Sequence, residues 1–241
     1  MKIYIVEDYE QMSIKAATIV ASQVVLKNKA VLGLATGSTP EGMYARLVQM
    51  YKEGAVDFSE VTSFNLDEYI GLSPRHHQSY NYYMHHHLFS HINIMPENIF
   101  IPDGEAEDID SFCKKYDEKI AVAGGIDIQV LGVGVNGHIG FNEPDRRLET
   151  GTHAVYLTRE TIDSNSRFFS KIEEVPQRAV TMGMGSIMSA RRIILLASGV
   201  NKAPVIKEMV NGKVKTEVPA SFLQLHREAI LILDKDAASL I

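Results

Sequence analysis

Short apolar runs alternate with amphipathic stretches along the whole chain, and that alternation limits the folds open to it. Residues 2–6, 30–35, 61–66, 97–101, 126–131, 153–157, 192–197 and 229–233 read as strands. Residues 10–27, 76–90, 107–123 and 159–170 read as helices, with further helical patterns from Pro40 to about residue 52 and from Lys202 to about residue 210. In the first helix Ala16, Ala17, Val20, Val24 and Val25 form the apolar face. The strands are apolar throughout rather than at every second residue, apart from 153–157, which alternates. Strands of that kind are covered on both faces. The expected fold is therefore α/β: a mostly parallel twisted sheet with helices on both faces, Rossmann-like and three-layered. No linker, low-complexity tract or internal repeat divides the 241 residues, so residues 1–241 read as a single domain.

Parallel strands bring their carboxyl ends to one edge, where open α/β sheets bind ligands. Four unusual segments follow directly on four strands: Thr36–Thr39, Asp67–Tyr69, Asn136–Glu143 and Asn201–Lys202. They are expected to meet at that edge. The third lies in L-G-V-G-V-N-G-H-I-G-F-N-E-P, residues 131–144, where Gly132, Gly134, Gly137 and Gly140 fall within nine positions. Such spacing implies a backbone bent as side chains would forbid, or one brought close to a ligand. His138 in this turn titrates near neutral pH and can take and return protons. Glu143 can fold back to orient or charge-stabilise it, and Asn136 can hold the ring through its amide. Gly132-x-Gly134-x-x-Gly137 also matches a dinucleotide-binding fingerprint. That fingerprint must open a helix, whereas here another glycine and then Pro144 follow.

Gly37, Ser38 and Thr39 precede a helix, with Thr39 suited to the N-cap and Pro40 to the first turn. Backbone N–H groups, two hydroxyls and the helix dipole would together suit a phosphate. No lysine stands at Walker A spacing, so a nucleoside triphosphate is not expected. Lys202, just past a strand, and Arg167, in a helical stretch, are the candidate phosphate cations, although a lone surface cation is usually only solvated. Asp67 stands where a strand leaves the sheet and can act as a base toward a C–H proton if its surroundings are dry. Its rival role is a turn cap. Glu68 should point elsewhere and serve structure. His76, His77, His85, His86, His87 and His91 have no carboxylate or cysteine to complete a ligand set, so no metal site is expected there. The methionines at 182–188 read as core.

The formal net charge of −6 argues against a nucleic-acid surface but not against a small anion bound by a few local groups. No apolar run approaches the ~20 residues of a membrane span, so no membrane partner is expected. The N-terminus turns acidic before a signal-peptide core could form, and the one cysteine, Cys113, fits a reducing compartment. A cytoplasmic location is expected.

The chain resembles the glucosamine-6-phosphate deaminase (isomerase) family. The matching segments are L-A-T-G-S-T-P at 34–40, N-L-D-E-Y-I-G-L at 65–72 and the central motif at 131–144, then N-S-R-F-F at 165–169, G-V-N-K-A at 199–203 and P-A-S-F-L-Q-L-H at 219–226. The resemblance implies conversion of D-glucosamine 6-phosphate and water to D-fructose 6-phosphate and ammonia without a cofactor. It assigns Asp67 the proton transfer between C2 and C1, and His138 the ring opening, supported by Glu143 and residue 136. Some members carry Asp where this chain has Asn136, which leaves Glu143 the only anion of the motif. Two alternatives remain open: a sugar-phosphate lactone hydrolase of the 6-phosphogluconolactonase kind, and a non-catalytic sugar-phosphate sensor. Some members are hexamers activated by N-acetylglucosamine 6-phosphate through an Arg and a Lys on the strand after the central motif. An ungapped match puts His153 and Val155 at those positions, and the chain stops at Ile241 without the extension of longer members. The expectation is a monomer or small homo-oligomer without that activation.

Overall fold

The computed structural model describes residues 1–166, 169 and 171–241. Its strands are β1 (Lys2–Val6), β2 (Val31–Leu34), β3 (Thr62–Asn65), β4 (Asp67–Tyr69), β5 (Ile99–Phe100), β6 (Ile128–Leu131), β7 (His153–Tyr156), β8 (Arg178–Thr181), β9 (Arg192–Ala197) and β10 (Ala229–Asp234). Its helices are α1 (Tyr9–Leu26), α2 (Glu41–Lys52), α3 (Tyr80–His87), α4 (Ile109–Val122), α5 (Arg159–Asn165), α6 (Met184–Met188) and α7 (Ala203–Asn211). Seven strands form one sheet in the order β1-β10-β9-β6-β2-β3-β5, and every pairing in it is parallel. A small antiparallel sheet, β4-β8-β7, stands beside it.

Alternate residues of the central strands enter two apolar layers. Ile193 and Leu195 join α4, α6 and α7 on one face, while Ile194 and Leu196 join α1, α2 and α3 on the other. Both layers contain fully buried aliphatic side chains, each worth about 1.5–3 kcal/mol of burial. This is the expected three-layer α/β architecture. No described helix is long and apolar enough to cross a membrane.

Several local expectations need correction. The strands are not apolar throughout: Ser63, Asn65 and Gln129 are fully buried within the main sheet. Gln129 is accommodated because Gly33 faces it; a Cβ at Gly33 would lie 2.1 Å from the Gln129 amide oxygen. Val25 is 65% exposed, since the last turn of α1 overruns the core. The helix expected at 76–90 is confined to Tyr80–His87, because Ser79 caps it by accepting the Tyr82 N–H and Leu88 leaves helical geometry. His87 and His91 consequently do not share a helix. Thr39 is not an N-cap: α2 starts at Glu41 with Pro40 before it and no side-chain cap. The strand at 153–157 belongs to the small sheet, and its neighbour β8 and the short α6 were not anticipated.

Candidate active site

Strands β9, β6, β2 and β3 are consecutive neighbours in the main sheet, so the four segments that follow them stand side by side. Residues of all four line one cleft of about 620 Å³. Of the residues singled out in the sequence, Gly37, Ser38, Thr39, Asp67, Asn136, His138 and Lys202 line it directly. Glu143 lies behind His138, and Arg167 falls outside the described residues.

Asp67 owes its position to a change of sheet. The chain leaves the main sheet after β3 and enters the small one at Asp67, which pairs with Thr181 of β8. The side chain is 7% exposed, and no hydrogen bond among the described residues reaches its carboxyl. Tyr69, Tyr80, Phe141 and Phe169 pack edge- and face-on as an aromatic wall of the cleft. Burial first, and the neighbouring Glu68 charge second, push the Asp67 carboxyl up to about 8. Glu68 points the other way, as expected. It accepts the N–H groups of Tyr69, Tyr80 and Asn81 at 2.8–2.9 Å and so fastens β4 to the start of α3.

The glycine motif divides its labour. Gly137 and Gly140 have φ of 93° and 59°, which side chains would resist. Gly134 has no such φ; its bare Cα instead seats the His138 ring, since a Cβ there would lie 2.3 Å from Cε1. The ring Nδ1 stands 3.3 Å from Glu143 Oε2. Asn136 does not hold the ring, contrary to expectation. Its amide donates to Glu143 Oε2 at 2.7 Å and its carbonyl accepts the His138 backbone N–H at 3.2 Å. Thr161 of α5, which no local sequence pattern marks, donates to Glu143 Oε1 and is itself buried. Burial alone would push the Glu143 carboxyl up, but bonds from His138, Thr161 and Asn136 together with the His138 charge hold it at about 2. Thr181, the strand partner of Asp67, joins it to the motif: its hydroxyl accepts the Phe141 N–H at 3.1 Å, and a Cβ at Gly140 would lie 2.8 Å from that hydroxyl and 3.8 Å from Asp67 Oδ2.

Lys202 precedes α7, and its ammonium donates to the Val133 carbonyl at 2.7 Å at the floor of the cleft. The turn before it is fixed from β10, where Asp234 accepts the Ser198 hydroxyl and the Gly199 N–H. His77, His86 and His87 also reach the cleft. His91 points a ring nitrogen at the His86 carbonyl at 2.8 Å. Among the described residues no group of three or more His, Cys, Asp or Glu is arranged to hold a metal ion.

The model for glucosamine-6-phosphate isomerases and 6-phosphogluconolactonases matches residues 7–232. The chain is 61% identical over 241 residues to a glucosamine-6-phosphate deaminase of Halothermothrix orenii, covering all of both chains. It is 60% identical to one from Thermoanaerobacter sp. (strain X514), covering all of this chain and 95% of that one. Among solved structures, one described as a monomeric glucosamine-6-phosphate deaminase superposes over the full length of both chains with TM-score 0.97 at 43% identity. A 6-phosphogluconolactonase from Thermotoga maritima shares the fold, with TM-score 0.77 at 19% identity over 97% of this chain and 99% of that one. With a family model spanning nearly the whole chain and relatives about 60% identical across it, the chain belongs to the glucosamine-6-phosphate isomerase and 6-phosphogluconolactonase family.

Proposed function

We propose that the cleft converts D-glucosamine 6-phosphate and water to D-fructose 6-phosphate and ammonia, the activity for which the 60% identical relatives are named. Of the readings open from the sequence, the deaminase is the one those relatives support. The observation that carries it is the buried Asp67 carboxyl, without a hydrogen bond among the described residues, beside a separate His138–Glu143 pair. Lactone hydrolysis needs no base over C1 and C2, whereas an aldose–ketose shift does.

His138 takes the O1 proton of the pyranose and returns one to O5, which opens the ring. Glu143, ionised and held by three donors, orients the imidazole and stabilises its cation. Asp67 then removes the C2 proton of the open chain and delivers it to C1. The dry aromatic wall makes the carboxylate more basic for that step. As O1 takes up a proton and the amine gives one up, the C2 imine forms; it then adds water and releases ammonia, leaving the ketose. Gly37, Ser38, Thr39 and Lys202 bind the phosphate, with Arg167 as the further cation. These residues carry out the chemistry without a cofactor. The chain acts as a monomer, like its 43% identical structural neighbour, in the cytoplasm, on a small sugar phosphate rather than a nucleic acid.

Ammonia release from glucosamine 6-phosphate tests this, with 6-phosphogluconolactone and N-acetylglucosamine 6-phosphate as controls. Turnover of the amino sugar alone is expected. Hydrolysis of the lactone without ammonia release would replace the deaminase by the lactonase.

A further inference from the structure

Three tyrosines from three helices grip the turn between β2 and α2. Tyr44 donates its hydroxyl to the Ala35 carbonyl at 2.5 Å, Tyr83 to the Gly37 carbonyl at 2.7 Å and Tyr9 to the Ser38 carbonyl at 3.0 Å. The Tyr9 hydroxyl also accepts the Gly42 N–H of α2 at 2.8 Å, filling the place that a capping side chain would take. The N–H groups of Gly37, Ser38 and Thr39 reach no acceptor among the described residues, and all three residues line the cleft.

The geometry of the peptide unit connects these facts. In a planar trans peptide the carbonyl and the next N–H point in opposite directions. A Gly37 carbonyl held toward α3 by Tyr83, which itself lines the cleft, therefore turns the Ser38 N–H away from α3. A Ser38 carbonyl held toward α1 by Tyr9 likewise turns the Thr39 N–H away from α1, and Ser38 and Thr39 both line the cleft. Successive inward N–H groups form a concavity suited to an anion. Burial raises the Tyr44 and Tyr83 hydroxyl pKa well above the ordinary tyrosine range, so both remain donors.

We propose that Tyr83 and Tyr9 are positioning residues for substrate phosphate, which fix the Ser38 and Thr39 N–H groups toward it by holding the Gly37 and Ser38 carbonyls. The inference rests on the reading of this turn as the phosphate site and adds what determines its shape. Neither hydroxyl needs to touch substrate.

The test uses Tyr83→Phe and Tyr9→Phe, which keep the rings. Tyr83 retains its packing against Tyr44 and His87. Tyr9 is 37% exposed at the start of α1, so its variant should fold even if the other does not. For each, kcat and KM for glucosamine 6-phosphate are measured, with competitive inhibition by inorganic phosphate. Each lost hydroxyl should raise KM and the phosphate Ki together by about two- to tenfold, the range for one neutral hydrogen bond, with kcat within about twofold. A wild type inhibited by phosphate with variants whose Ki and KM do not move would overturn the tyrosine inference alone. A fall in kcat with KM and Ki unchanged would overturn it too. A wild type that phosphate does not inhibit competitively would overturn the phosphate reading of the turn itself.

Discussion

Replacing Gly134 by alanine should disable the enzyme without disturbing its fold or its hold on substrate. A Cβ at Gly134 would lie 2.3, 2.4 and 2.5 Å from Cε1, Nδ1 and Nε2 of His138. Carbon contacts settle at about 3.5–4.0 Å, so the ring must retreat by about 1 Å or more. It has little slack, because Nδ1 already stands 3.3 Å from Glu143 Oε2 and the same retreat carries it out of bonding range. A misplacement of about 1 Å can cost about 10² in rate. The ring is one-quarter exposed and can swing toward solvent, so the melting temperature should stay near that of wild type. Steady-state ammonia release should show kcat down about 10²-fold, with KM nearly unchanged because the Gly37–Thr39 turn is untouched. Turnover within a small factor of wild type, or an equal loss through KM, would refute the idea that Gly134 is bare in order to seat His138.

Asp67→Asn should lower kcat by about 10²–10⁴. Its thermal stability carries a second signature. Burial raises the folded-state pKa of Asp67, so its contribution to stability is full below about pH 4 and lost as pH rises through about 8. The variant should therefore melt above wild type at pH 8 but not at pH 4, which calorimetry at the two pH values decides. Thr161→Val removes one of the three donors to Glu143 and should cost about tenfold in kcat, with Thr161→Ser restoring most of it; a valine variant as active as wild type would deny Thr161 a part. Lys202→Met removes a charge-assisted bond worth about 1.5–3 kcal/mol and should act through KM, which a variant with an unchanged KM would contradict. Substrate curves should be hyperbolic and indifferent to N-acetylglucosamine 6-phosphate. His153 turns its ring to the Gly151 carbonyl and Val155 packs with Tyr69, Phe141 and Leu157, so neither supplies the cation an effector phosphate needs. A sigmoidal curve straightened by the acetylated sugar would overturn this.

The sequence made the parallel sheet and the meeting of the four strand-end segments legible because both follow from hydrophobic period and strand direction. The second sheet was not legible. Its strands are three or four residues long, and Asp67–Tyr69 reads as the tail of the strand before it until pairing with β8 is seen. Asn136 illustrates a different limit: the surrounding glycines place it in the turn, but its grip on Glu143 and the backbone rather than the ring depends on how that turn closes. Thr161 lies 18 residues from Glu143 and sits on another element, and no local pattern marks such a partner. Tyr9, Tyr44 and Tyr83 each look like ordinary packing residues of separate helices, because the turn they share is made by tertiary structure.

Strand β10 joins the main sheet between β9 and β1. The pairing Lys2↔Ile230 therefore links residues almost the whole sequence apart, and β1 has no parallel neighbour until β10 is in place. The same strand carries Asp234, which holds the turn leading to Lys202. During synthesis the first strand must wait, unpaired, for nearly every other residue to emerge, and loop-closure entropy makes such distant pairing slow. The cation that would meet the phosphate acquires its place in the same late event, so a nascent chain should have no working cleft until its final strand has docked.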